Sequence, residues 1–211
     1  MHTILFDLDG TLTDPKLGIT RSIQHALGSL GQDVPTQEEL TWCIGPPLLG
    51  SLRKLIGSQT QAENALLLFR ERFGETGMYE NEVYPGIPAA LSSLKAAGHK
   101  LFVATSKPTV YAIPILEHFQ LSQNFDAIHG SELNGTRSDK SELLAWMTVR
   151  EGLDPGMTVM VGDRSHDVVG GQNNGMMTLG VLYGYGTRQE LLNAGADNLC
   201  NSPVDLARLL C

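Results

Sequence analysis

The stretch Thr3-Ile4-Leu5-Phe6-Asp7-Leu8-Asp9-Gly10-Thr11-Leu12-Thr13-Asp14 decides how the rest of the chain is read. Its first half, Thr3 to Leu8, is short, apolar and rich in strand formers, the composition of a central strand buried on both faces. In an extended chain residues i and i+2 share a side, so Asp7 and Asp9 are expected as neighbours. Two carboxylates at close range raise each other's pKa and resist desolvation, an arrangement that packing alone does not explain. A divalent cation or a division of labour removes the conflict. One carboxylate ligates a hard ion such as Mg²⁺ and attacks as a nucleophile, while the other holds and donates a proton. Gly10 lets the chain turn sharply beside a ligand. The plainer alternative is a strand ending in an acidic turn, since Asp-Gly is also an ordinary turn dipeptide.

Composition limits what the site can serve. The 211 residues suffice for one good core, or for one core plus a small accessory domain. With 15 Lys plus Arg against 23 Asp plus Glu the formal charge is −8, and there is no basic stripe, so a nucleic-acid polymer is not an expected partner. A small anionic substrate remains compatible, because a metal ion and one or two lysines set the local potential. Cys43, Cys200 and Cys211 lie in no C-x-x-C pair and are read as free thiols of a reducing cytosol. No apolar run approaches the ~20 residues that span a membrane, and the chain begins directly with a strand. A cytoplasmic protein, monomeric or a homodimer, is expected.

Beyond Asp14-Pro15 the pattern changes from strand to helix. Ile19, Ile23, Ala26, Leu27 and Leu30 fall at helical spacing and Gly31 supplies a stop. Thr36-Gln37-Glu38-Glu39 and Thr60-Gln61-Ala62-Glu63 have the capping-box form, with Thr36 and Thr60 as N-caps. Between them, Ile44-Gly45-Pro46-Pro47-Leu48 reads as a rigid turn before a short helix. Residues 15–82 are thus expected to be all-helical. From Val83 onward helices and short apolar strands alternate: helices over 88–97, 110–119, 140–151, 168–174, 187–194 and 204–210, and strands over 100–105, 125–128, 157–162 and 177–182. This alternation predicts an α/β fold, a Rossmann-like parallel sheet covered on both faces. The first strand belongs to that sheet by type. The chain is therefore expected to form a catalytic core from 1–14 and 83–211, with a helical domain, 15–82, inserted after the catalytic strand where it would hang over the site.

Open α/β sheets bind ligands at the carboxyl ends of their strands. The strand Leu101 to Ala104 ends in Thr105-Ser106-Lys107-Pro108, whose hydroxyls and backbone N–H groups suit phosphate oxygens, although the same residues make an ordinary helix start. The strand Met157 to Val161 ends in Gly162-Asp163-Arg164-Ser165-His166-Asp167, where a first-turn Asp can also simply cap a helix. Four Asp side chains converging on one edge make sense around a cation. The segment Gly180 to Gly186 matches neither a phosphate loop nor a dinucleotide fingerprint and reads as a strand and turn.

Asp7-Leu8-Asp9-Gly10-Thr11-Leu12 resembles the first motif of the haloacid dehalogenase superfamily, whose phosphatases begin with Asp-x-Asp-Gly-Thr and carry a helical cap after it. Thr105 resembles the second motif, with Ser106 and Lys107 as adjacent phosphate-binding candidates. Lys140 stands where the family places a Lys before the helix leading to its last motif, and Lys107 is its competitor. Asp163 and Asp167 resemble the last motif, Gly-Asp-x-x-x-Asp, and Arg164 and His166 match none of its fixed positions. The resemblance implies a Mg²⁺-dependent phosphatase of small metabolites, with Asp7 as nucleophile, Asp9 as acid and base, and Asp7, Asp9 through its main-chain carbonyl, Asp163 and Asp167 around the metal. Within the superfamily, Asp7-Leu8-Asp9-Gly10-Thr11-Leu12-Thr13-Asp14, the segment Ile44-Gly45-Pro46-Pro47-Leu48 and Gly184-Tyr185-Gly186-Thr187 look most similar to the phosphoglycolate phosphatase and 5′-nucleotidase group. The rivals are a dehalogenase, a sugar phosphomutase of the same fold, and a non-enzymatic phospho-accepting regulatory domain. A dehalogenase needs neither Asp9 nor Asp163.

Overall fold

The computed structural model describes residues 2–210. In chain order the strands are β1 (Thr3–Phe6), β2 (Thr13–Asp14), β3 (Glu82–Val83), β4 (Lys100–Pro108), β5 (Ala127–Ser131), β6 (Thr158–Gly162), β7 (Met177–Val181) and β8 (Asn198–Cys200). The α-helices are α1 (Lys16–Ser29), α2 (Leu48–Ile56), α3 (Gln59–Glu75), α4 (Ile87–Ala96), α5 (Thr109–His118), α6 (Lys140–Glu151), α7 (Ser165–Asn173), α8 (Arg188–Asn193) and α9 (Leu206–Leu210). The chain divides into two compact units, Met1–Asp14 with Val83–Cys211, and Pro15–Glu82.

The first unit is built on a six-stranded sheet in the order β5-β4-β1-β6-β7-β8, with β1 paired in parallel to β4 on one side and β6 on the other. All five pairings of this sheet are parallel. The chain builds outward from β1 in one direction through β4 and β5, then returns to β1 and builds the other way. That reversal places a topological switch point beside β1, where doubly wound sheets open a crevice at their carboxyl edge. Ile4, Leu5 and Phe6 are fully buried although successive side chains of a strand point to opposite faces, so both faces are covered. On one face Leu5, Phe102, Ala104 and Met160 pack with Leu143, Leu144 and Met147 of α6. Toward the other, Phe6 meets the edge of Phe125 at 6.3 Å between ring centroids.

In the second unit, α3 buries Ala62, Ala65, Phe69 and Phe73, with the two Phe rings stacked at 5.1 Å. Gly18 of α1 lies so close to the segment after α3 that a Cβ there would stand 1.9 Å from the Gly77 carbonyl. Glu80 closes the unit: it accepts from both Arg72 Nη atoms, at 2.8 and 3.1 Å, and from Arg21 at 2.8 Å.

Several boundaries differ from the sequence reading. β1 ends at Phe6 rather than Leu8, because the Leu8 carbonyl accepts the N–H groups of Thr11, Leu12 and Thr13 and turns the chain. The Thr36–Glu39 capping box forms but opens a 3₁₀ helix, Glu38–Cys43. The second box does not form; Ser58 caps α3 instead, two residues before Thr60. α7 starts at Ser165, three residues earlier than 168. β4 runs on to Pro108, and β8 carries no alternation that its three residues could display. Cys43 and Cys200 are buried and form no disulfide among the described residues; the Cys211 reading lies outside the described residues. Among the described residues no helix is long and apolar enough to cross a membrane.

Candidate active site

Asp7 follows β1 directly, and its N–H still donates to the Val161 carbonyl of β6 at 2.9 Å, so the sheet fixes its backbone. The residue is 4% exposed and its Oδ1 accepts from Lys140 Nζ at 3.0 Å. Lys140 opens α6 behind the cap of Asp139, whose side chain accepts the Glu142 N–H. The same Nζ donates to the Ala104 carbonyl of β4 at 2.7 Å and stands 2.8 Å from Asp167 Oδ1. Burial pulls the Lys140 pKa down, but the charges of Asp167 and Asp7 together outweigh it and hold the ammonium above the ordinary lysine range. Its stem passes over Gly170 of α7, where a Cβ would stand 2.6 Å from Lys140 Cγ.

Asp9 has a different partner. Its Oδ2 lies 2.8 Å from Lys107 Nζ, with the lysine side chain 6% exposed, and its Oδ1 is buried without a hydrogen-bond partner. Burial raises its pKa and Lys107 lowers it, with a net rise. Gly10, at φ +82°, turns the chain away from Asp9 where a Cβ would stand 2.3 Å from Asp163 Oδ2. Thr105 is buried at the end of the regular β4–β5 register, and its hydroxyl accepts the Lys107 N–H at 3.2 Å. Ser106 is half-buried, and its carbonyl accepts from the Ser131 hydroxyl at 2.8 Å.

The last acidic pair follows β6. Asp163 is fully buried, accepts the Tyr185 N–H on Oδ2 at 2.8 Å and faces the Thr11 hydroxyl at 3.5 Å. Desolvation, then the charges of Asp167 and Asp7, push its pKa well above the carboxylate range. Asp167 Oδ2 accepts the Arg164 N–H at 3.1 Å in the first turn of α7, which explains the early start of that helix. Burial raises the Asp167 pKa to about 6 against the pull of Lys140. Asp7, Asp163 and Asp167 each offer an oxygen within 4.8 Å of the others. Three buried carboxylates share one ammonium there, and the two hydrogen bonds described for Asp163 come from uncharged donors, the Thr11 hydroxyl and the Tyr185 N–H. An all-oxygen donor set with surplus negative charge fits a hard divalent ion such as Mg²⁺. The Asp9 carboxylate stands outside this trio.

Both lysines are therefore engaged, Lys140 with Asp7 and Asp167, Lys107 with Asp9. Arg164 points to Glu190, Nε to Oε1 at 3.0 Å, and His166 is exposed. Sequence reasoning missed Gly170 and the segment Tyr183 to Gly186. A glycine inside a helix was the available signal for the first. The repeated glycines were noted for the second, without any indication that they meet Asp163.

Fold and site together define an α/β enzyme with an acidic centre at the carboxyl edge of its sheet. Residues 4–181 match the haloacid dehalogenase-like hydrolase family, and the chain belongs to it. It is 48% identical over 207 residues to a Pseudomonas aeruginosa protein named 5′-nucleotidase, covering 98% of this chain and 92% of that one. It is 41% identical to the Mycobacterium tuberculosis protein named tyrosine-protein kinase PtkA, over 87% of this chain and 62% of that longer protein. A phosphoglycolate phosphatase of Aquifex aeolicus is 30% identical, covering 100% and 97%. The crystal structure of "a predicted phosphatase from Clostridium acetobutylicum" superimposes with a TM-score of 0.96 at 42% identity, over 100% of this chain and 98% of that one. The chain is a hydrolase with phosphatase-named relatives.

Proposed function

We propose that the protein is a Mg²⁺-dependent phosphate monoester hydrolase of a small phosphorylated metabolite, phosphoglycolate-like or a nucleoside monophosphate, working through an aspartyl-phosphate. The observation that carries this reading is the separation of Asp7 and Asp9: one residue apart, they are held by different lysines in different surroundings. An oxygen of Asp7 attacks phosphorus in line and the bond to the leaving oxygen breaks as Asp9 gives that oxygen its proton. Asp9, now a carboxylate, takes a proton from water, whose oxygen attacks phosphorus and frees Asp7 and inorganic phosphate. Thr105 and Lys140 hold phosphoryl oxygens, with Ser106 as a further donor. Asp7, the Asp9 carbonyl, Asp163 and Asp167 would hold Mg²⁺, whose charge offsets the repulsion between nucleophile and phosphate. The inserted helical unit would act as a cap that selects the leaving group, with Gly45 to Leu48 as its first candidates.

The 48% identical 5′-nucleotidase supports a nucleoside monophosphate, and the Aquifex protein a phosphoglycolate-like substrate. The test is phosphate release from a panel of monoesters with Mg²⁺, comparing the native chain with Asp7→Asn and with EDTA. Release that needs both Asp7 and Mg²⁺ is expected; native turnover no greater than that of Asp7→Asn on every member would overturn the reading. The likeness to PtkA favours, as a second reading, a protein tyrosine as the phosphoryl acceptor. Transfer to a peptide tyrosine without free phosphate would select it.

A further inference from the structure

We infer that Gly184-Tyr185-Gly186 is a positioning strap that holds Asp163 in its metal-ligating orientation. This rests on the metal assignment above and extends it to a segment that ordinary strand-and-turn reading leaves idle. Three observations converge. First, the Tyr185 N–H donates to Asp163 Oδ2 at 2.8 Å, the shortest hydrogen bond that carboxylate receives. Second, both glycines are pressed against Asp163 and its neighbour. A Cβ on Gly184 would stand 2.4 Å from Asp163 Cβ and 2.3 Å from the Gly10 carbonyl, and one on Gly186 would stand 1.8 Å from the Asp163 carbonyl. Third, the segment is fastened to the turn after β1: the Tyr183 hydroxyl donates to the Thr11 carbonyl at 3.1 Å, and the Tyr185 hydroxyl donates to Asp14 Oδ1.

The strap therefore joins the two turns that carry the acids, one after β1 and one after β6, past the bond from the Asp7 N–H to the Val161 carbonyl. Asp163 is a buried carboxylate with like charges around it, and without an external hold its side chain would rotate away from Asp7 and Asp167. A backbone N–H is a suitable hold because it orients the carboxylate without competing for the cation. Groups that orient metal ligands in this way typically contribute about 10–100-fold in metal affinity.

The test is Mg²⁺ binding to the full chain by isothermal titration calorimetry with MgCl₂ alone, alongside thermal melting of the metal-free protein. Gly184→Ala, and replacement of the Tyr185 amide by an ester, which deletes only the N–H, are expected to weaken Mg²⁺ binding about 10–100-fold. Gly180→Ala is the control: its Cβ would crowd Leu191 and Leu199 at 2.9 Å, away from Asp163, so it should lower the melting temperature and leave Mg²⁺ affinity unchanged. Tyr185→Phe and Asp14→Ala should each weaken binding several-fold, whereas Asp14→Asn, which keeps the acceptor, should restore it. If the strap variants bind Mg²⁺ as the native chain does, the strap is mere packing and the inference fails. Absence of Mg²⁺ binding by the native chain would instead remove the metal assignment on which it rests. Should Gly184→Ala not fold, the ester and Asp14 variants carry the test alone.

Discussion

Lys107 and Asp9 form an ion pair of 2.8 Å with both side chains less than a tenth exposed. In the proposed role of general acid, Asp9 is held partly against its task by this pairing, since the ammonium favours the carboxylate form. Burial raises the Asp9 pKa and Lys107 opposes that rise. Lys107→Met should therefore move the pH optimum of phosphate release upward. It should also lower kcat/KM by about 10-fold, a part of the 10²–10⁴ that a positioned acid supplies. A pH–rate profile that stays in place would exclude Lys107 from control of Asp9.

Lys140 is the only lysine among the described ion pairs that meets two carboxylates. Removing one member of a buried, hydrogen-bonded charge cluster leaves the rest uncompensated, at a cost of about 3 kcal/mol. Lys140→Met is expected to lower the urea midpoint of the metal-free protein accordingly and to abolish turnover. Part of the lost stability should return with Mg²⁺. Gly170→Ala, which intrudes on the lysine stem, should reproduce a milder form of both effects.

The metal-free protein should lose stability as the pH is raised. The Asp163 and Asp167 carboxyls have folded pKa values above their unfolded ones, that of Asp167 reaching about 6. A group raised by folding binds more protons in the native state, so its contribution is complete below pH ~4 and fades as pH rises through the folded value. Melting in EDTA from pH 5 to 7.5 should show that decline. Asp163→Asn should flatten it, raise the melting temperature at pH 7.5 and eliminate stabilisation by Mg²⁺.

Glu80 behaves in the opposite sense. Its hydrogen bonds from Arg72, and then Arg21, hold its pKa below the usual value despite burial. Its contribution is present above pH ~4.5 and disappears as pH falls through the lowered value. Glu80→Gln should cost about 1 kcal/mol at pH 7, and the difference from the native chain should shrink at pH 3.5. An unchanged difference at the two pH values would show that the carboxylate charge is not what closes this unit.

Much of this was readable from the residues because the informative ones are local. Asp7 and Asp9 come just after a strand, and the alternation from Val83 onward gives the sheet its parallel character. What was not legible depends on approach between distant segments. Ser58 and Thr60 are both capping residues; the choice falls to Ser58 because Gly57, at φ +77°, ends α2 immediately before it and leaves Ser58 extended. Leu8 fits a strand by type, and only the competition of three N–H groups for its carbonyl turns it out of one. Tyr185 meets Asp163 from 22 positions away, and nothing in a Gly-Tyr-Gly sequence names that partner.

The order in which β1 finds its partners has a consequence for how the enzyme is made. Thr3 pairs with Lys100 and with Thr158, so the strand that leads into Asp7 leaves the ribosome long before either neighbour exists. The helical stretch between them makes its contacts within one continuous segment, and local contacts form faster than distant ones. During synthesis the apolar run Ile4-Leu5-Phe6 should thus wait unpaired while α1, α2 and α3 assemble. Pulse-labelled hydrogen exchange during refolding should protect those helices before β1, and simultaneous protection would contradict this order.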